Sequence, residues 1–168
     1  ENQMEGKFRT GHFDGVGTVL KRFFEIVKPT NAYFGEKDFQ QLAIVKKLVT
    51  KYHIPVTIIG CPIHREQNGL AMSSRNERLT QQNREDATLI SRTLFKVKND
   101  FGKKSIQEIV AEVTQIFDNH PSFTLEYFEI ANAETLITST EIVEGNKYQA
   151  FIAVFINNIR LIDTISLN

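Results

Sequence analysis

A single cysteine, Cys61, in 168 residues leaves no internal disulfide to be made and points to a cytosolic, cytoplasmic setting. A surplus of either charge sign is missing too: 20 Lys plus Arg stand against 20 Asp plus Glu, a formal net charge of +0. That balance excludes a nucleic-acid binder working through a broad positive field, while leaving room for a local basic site that holds one small anion. No apolar run approaches the roughly 20 residues that cross a bilayer, and nothing near Glu1 has the pattern of a signal peptide. The chain shows no internal repeat and no low-complexity tract. His12, His53, His64 and His120 fall on separate elements, without zinc-ligand spacing. Neither a Walker A glycine loop nor a Ser-His-Asp order is readable.

What is present is the composition of a packed domain, 41% hydrophobic and 24% charged. The pattern divides into two compact units. In the first, Val16, Val19, Leu20, Phe23, Phe24 and Val27 recur at helical spacing after Asp14-Gly15, and Pro29 ends the run. Ala32-Tyr33-Phe34 reads as a short buried strand stopped by Gly35. A helix opens at Asp38, which forms a capping-box pattern with Gln41, and turns Leu42, Val45, Leu48 and Val49 inward. Val56-Thr57-Ile58-Ile59 is a second strand. Strand, helix and strand in so short a span predict a βαβ unit with parallel pairing and a right-handed crossover.

Residues 63–79 read as a polar loop. Beyond it, Thr80 caps a helix with Ala87, Ile90, Leu94 and Val97 inside, and Ser105 with Glu108 forms a capping box for a helix whose core side is Ile109, Val110, Val113, Ile116 and Phe117. Phe123, Leu125 and Tyr127 alternate as in a half-buried strand. Two further strands, 147–155 and 159–165, flank Asn157-Asn158, residues that tolerate a tight hairpin turn. The second unit is therefore α+β with an antiparallel sheet.

Two stretches carry chemistry. Gly35-Glu36-Lys37-Asp38 places a glycine turn and a lysine between a parallel strand and a helix N-terminus, where unpaired N–H groups and the helix dipole favour an anion. The same pattern also describes an ordinary surface turn whose Lys is solvated. Gly69-Leu70-Ala71-Met72-Ser73-Ser74-Arg75-Asn76 brings hydroxyls and a guanidinium fork suited to a polyphosphate, or equally an interdomain linker with a surface Arg. His12 stands just before a helix start, with a nucleotide contact and a plain backbone hydrogen bond both open to it.

With Gly11-His12-Phe13 and Gly15-Val16, Phe34-Gly35-Glu36-Lys37-Asp38 and Gln40-Gln41, Arg65-Glu66, Gly69 through Asn76, and Arg160-Leu161-Ile162-Asp163, the chain resembles the pantoate–β-alanine ligase family. The resemblance spans essentially the whole chain. It implies an α/β fold: the end of a doubly wound, Rossmann-like parallel sheet of adenylyltransferase type in residues 1–75, and a smaller α+β lid domain with an antiparallel sheet in 76–168. It implies an ATP-dependent ligase that joins pantoate and β-alanine through a pantoyl adenylate, with Mg²⁺ accompanying ATP and a homodimeric whole enzyme.

Carried over by position, Lys37 would stabilise the α- and β-phosphates, with Gly35, Glu36 and Asp38 completing that contact. Gln41 would hydrogen-bond pantoate. Met72, Ser73, Ser74 and Arg75 would cover the phosphates, with Lys37, Ser73 and Arg75 catalytic. His64 takes the place of a nucleotide-contacting residue that is usually Val, and Thr10 stands where Pro is usual.

The family's H-x-G-H motif belongs to an N-terminal half without a counterpart here. The chain is accordingly expected to be a C-terminal portion that holds about half of the active site and is nearly inactive alone. On the same grounds, residues 1–71 are expected to need that half for full order, and residues 79–168 to fold unaided. A catalytically silent oligomerisation or lid domain, and a related nucleotidyltransferase activating another acid, are the alternatives.

Overall fold

The computed structural model describes residues 3–168, which form two compact units, one up to residue 63 and the other from 64 to 168. The division falls upstream of the residue-75 boundary suggested by the motifs. Its physical reason is that Arg65, in the intervening loop, is bonded to Asp163 near the end of the chain.

The first unit opens with a single helical turn, α1 (Glu5–Phe8), which the periodicity does not anticipate. The Gln40 side chain ties it down: the Glu5 N–H donates to Gln40 Oε1 at 2.9 Å, and Gln40 Nε2 donates to the Gln3 carbonyl at 3.2 Å. Next, α2 (His12–Val27) follows Gly11, whose φ of 74° suits glycine. The helix stops at Lys28, in the left-handed region, ahead of Pro29.

Strands β1 (Asn31–Gly35) and β2 (Thr57–Cys61) pair in parallel from Asn31↔Thr57 to Gly35↔Cys61, with α3 (Phe39–Lys51) between them in sequence. Ala32, Phe34 and Ile58 pack on a small cluster of Phe24, Val45 and Val56.

Three expectations fail in this unit. β1 is not a buried strand: its residues alternate between exposed and half-buried, and Tyr33 is 65% exposed, because a two-stranded sheet is covered on one face only. The apolar stripe of α2 is only partly used. Phe24 is buried, yet Val19 and Phe23 are 66% and 52% exposed. The Asp38–Gln41 capping box does not form, because a 3₁₀ turn, Glu36–Asp38, delivers Asp38 at φ −95°, ψ 56° with no side-chain cap bond.

The second unit follows its sequence pattern more closely. Thr80 Oγ1 caps α4 (Gln81–Asp86), which passes through Ala87 into α5 (Thr88–Asp100). The Ser105–Glu108 box forms at the start of α6 (Ile106–Asp118). β3 (Phe123–Asn132), β4 (Tyr148–Ile156) and β5 (Ile159–Ser166) make an antiparallel sheet in the order β3-β4-β5, with Asn157 at φ 52° in the tight turn.

Strict alternation in β3 breaks at a bulge between Leu125 and Tyr127, after which Tyr127 and Phe128 are both buried. Apolar residues of α5, α6 and the sheet form one cluster that includes Leu94, Phe117, Ile152 and Val154. The segment read as a loop contains a 3₁₀ turn, Ser74–Arg78, and an isolated bridge from Arg65 to Ala71.

Candidate functional site

The lysine-bearing turn sits in the first unit, at the carboxyl end of β1. Gly35 is extended, the 3₁₀ turn carries Glu36, Lys37 and Asp38, and α3 begins at Phe39. The first N–H groups of a helix have no intrahelical acceptor, so they and a half-buried ammonium at Lys37 are disposed for an anion.

Glu36 lies over β2, where Gly60 makes room for it. A Cβ at Gly60 would come within 3.1 Å of both Glu36 Oε1 and Leu42 Cδ2. Gln41 faces a groove of about 470 Å³ that it lines with Gly11, His12, Gly15, Val16 and Leu20. Burial first, and then the Arg9 charge, push the His12 imidazole below its ordinary pKa, with Glu5 and Asp38 pulling weakly the other way. A neutral imidazole and a carboxamide on one apolar groove can orient a small hydroxyl- or carboxylate-bearing molecule.

The serine–arginine segment sits in the second unit. Ser73 Oγ accepts from the Arg75 N–H at 3.2 Å, an N-cap for the turn that follows. Arg75 Nη1 donates to the Arg160 carbonyl at 3.3 Å, which spends one of the five guanidinium N–H groups. Met72 is exposed, Ser74 is exposed, and Ser73 and Arg75 are half-buried. The His64 side chain is exposed while its carbonyl accepts from the Met72 N–H at 2.9 Å, so this residue serves the segment through its main chain.

Gly35 through Asp38 and Gln41 thus share one turn and its adjoining groove, and Met72 through Arg75 share one arc. The two groups belong to different units.

Motif reading misses how the arc is held. Arg65 donates to both carboxylate oxygens of Asp163, at 2.6 and 3.1 Å, and to the Gly69 carbonyl at 3.1 Å. Arg84 makes a second two-point pair with Glu66, at 2.9 and 2.8 Å. Asn76 links Glu66 to the Ala71 carbonyl. Gly69, at φ 91°, closes the turn against Ser91. The residue types are visible in the sequence, but their pairing across up to 98 positions is not.

Among the described residues no group of three or more His, Cys, Asp or Glu is placed to hold a metal ion, and no helix is long and apolar enough to cross a membrane.

Residues 1–166 match the pantoate–β-alanine ligase family. The pantothenate synthetase of Flavobacterium psychrophilum is 60% identical over 167 residues, covering 99% of this chain and 59% of that protein. That of Bacteroides fragilis is 45% identical over 162 residues, 57% of its length. Among solved structures, pantothenate synthetase from Thermus thermophilus superposes with a TM-score of 0.90 at 36% identity, covering 99% of this chain and 60% of that one. Pantoate–β-alanine ligase from Francisella tularensis, complexed with beta-gamma ATP and β-alanine, gives 0.71 at 31% identity, over 99% and 54%. The chain spans about three-fifths of the curated relatives it matches. With a family match that runs almost end to end and a shared fold at this level of identity, the chain belongs to the pantoate–β-alanine ligase family.

Proposed function

We propose that this chain supplies about half of the active site of an ATP-dependent ligase that condenses pantoate with β-alanine, and that by itself it is nearly inactive. The observation that carries the reading is the family match over residues 1–166, which includes both anion-suited segments. A carboxylate is a poor acyl donor, so its activation needs a better leaving group.

A pantoate carboxylate oxygen attacks the α-phosphorus of ATP, the bond to the β-phosphate oxygen breaks, and pyrophosphate leaves with that electron pair. The amine of β-alanine then attacks the acyl carbon of the adenylate, loses a proton and expels AMP. Charge builds on the phosphorus oxygens in the first step, and fixed donors aimed there lower its barrier.

Lys37, with Gly35, Glu36 and Asp38, would hold the α- and β-phosphates; Met72, Ser73, Ser74 and Arg75 would cover them; His64 would contribute its main chain. Gln41, in the groove beside His12, would orient pantoate. Mg²⁺ would arrive on the phosphate oxygens of ATP, since the described residues offer no carboxylate cluster for it. The whole enzyme would be a homodimer.

The test mixes this chain with the separately produced part of the Flavobacterium psychrophilum relative that it does not match. Pantothenate formed from ATP, pantoate and β-alanine by the mixture, and not by either part alone, supports the ligase. Binding of neither ATP nor pantoate by the mixture favours a catalytically silent module, and activity with a different acid favours another nucleotidyltransferase.

A further inference from the structure

Asn76 is 1% exposed and belongs to none of the apolar clusters. Its main-chain N–H donates to the Ser73 carbonyl at 3.0 Å and its carbonyl accepts from Leu79 at 3.1 Å. Its Nδ2 donates to the Ala71 carbonyl at 3.1 Å and to Glu66 Oε1 at 2.7 Å. The chain from Met72 to Arg75 is therefore bridged on both sides by one residue. Glu66 is gripped in turn by Arg84 from α4.

Both amide protons face acceptors, so the site demands a donor. Turning the amide over would set its oxygen against the Ala71 carbonyl and the Glu66 carboxylate. The Oδ1 is buried with no hydrogen-bond partner, so no bond of its own offsets the burial of that oxygen.

We propose that Asn76, acting through Glu66, is a positioning residue for the Met72–Arg75 arc. The inference rests on the ligase reading in taking that arc as the phosphate cover. Donors fixed before the ligand arrives need not be ordered when it binds, so a loosened arc weakens ATP and leaves pantoate, which the other unit holds, unaffected.

Two variants test this: Asn76→Asp, which replaces the donor by a charged acceptor of the same shape, and the double variant Asn76→Asp with Glu66→Gln. In the double variant the glutamine amide nitrogen, in the place of Oε1, donates to the new carboxylate, and the glutamine carbonyl, in the place of Oε2, keeps the bond from Arg84 Nε while the one from Arg84 Nη2 is lost. Amide exchange is followed by NMR in the 168-residue chain, and KM values in the mixture described above.

Asn76→Asp should speed exchange at Met72, Arg75 and residue 76 by about tenfold or more without changing β4. It should also raise the KM for ATP by about tenfold at constant KM for pantoate, and the double variant should recover part of both, the Ala71 carbonyl still lacking its donor. Unchanged loop exchange, equal changes in the two KM values, or a double variant no better than the single would overturn it. Failure of the unsubstituted mixture to make pantothenate is a separate result that tells against the ligase, while the exchange arm still decides the clasp.

Discussion

In the antiparallel unit, β4 is buried without interruption from Tyr148 to Val154; in the parallel unit, no residue of β1 or β2 is fully buried. Two helices laid on a three-stranded sheet share one large apolar cluster, whereas the two-stranded unit leaves apolar side chains exposed, here Tyr33 on β1 and Val19 and Phe23 on α2. The two functional segments inherit this contrast. The Met72–Arg75 arc is clamped onto the unit with the larger apolar cluster. The Lys37 turn rides on a unit whose small cluster centres on Phe24, Val45 and Val56.

The contrast can be broken most forcefully at Phe117, which is fully buried and meets Phe123 edge-on at 5.3 Å. Phe117→Ala should cost about 3–5 kcal/mol in urea unfolding followed through β4 amides, the range for a large aromatic removed from a tight core. A loss below about 1 kcal/mol would mean that the second unit is packed no better than the first.

Asp163→Asn comes next. Its carboxylate is 2% exposed and Arg65 is 18% exposed, so the variant leaves a guanidinium without its counter-charge and should cost about 3 kcal/mol. The same unfolding curves check it, and the loss should spare residues 3–63.

Helix caps sharpen the comparison on a smaller scale. Ser105→Ala removes a complete capping box and should cost about 1 kcal/mol. Asp38→Ala removes no cap bond and should shift stability by less than about 0.5 kcal/mol, again by denaturant titration.

The smallest effect is the pH dependence of the first unit. Because His12 titrates below its ordinary value of 6.5 in the folded chain, the unfolded chain binds more protons once pH falls toward that value. Stability of residues 3–63 should therefore decline on acidification through about 6.5 and level off below the depressed folded pKa. His12→Gln should flatten that slope in amide-exchange measurements across the same pH range.

Local signals were the legible ones. The Ser105–Glu108 and Thr80 caps, the Asn157 turn and the parallel βαβ order all follow from residues a few positions apart. Asp38–Gln41 has the same spacing as a working box and fails because the preceding 3₁₀ turn sets Asp38 in the wrong backbone region, which composition does not reveal. The α2 stripe shows that helical periodicity marks an apolar face without saying how much of it this chain covers. At the site, the lysine turn and the serine–arginine arc were visible as motifs. The clasp that shapes the arc depends on Asp163 and Arg84 meeting residues far away in sequence.

The ligase reading proposed above gives Lys37 and Arg75 each a role at the phosphates of ATP. The direct measurement is pantoate-dependent exchange of labelled pyrophosphate into ATP by the mixed ligase, with Lys37→Ala, Arg75→Ala and the pair. Each single substitution should slow exchange about 10²–10³-fold, and the pair should lose far less than the product of the two. Exchange at the unsubstituted rate in either single variant would contradict it.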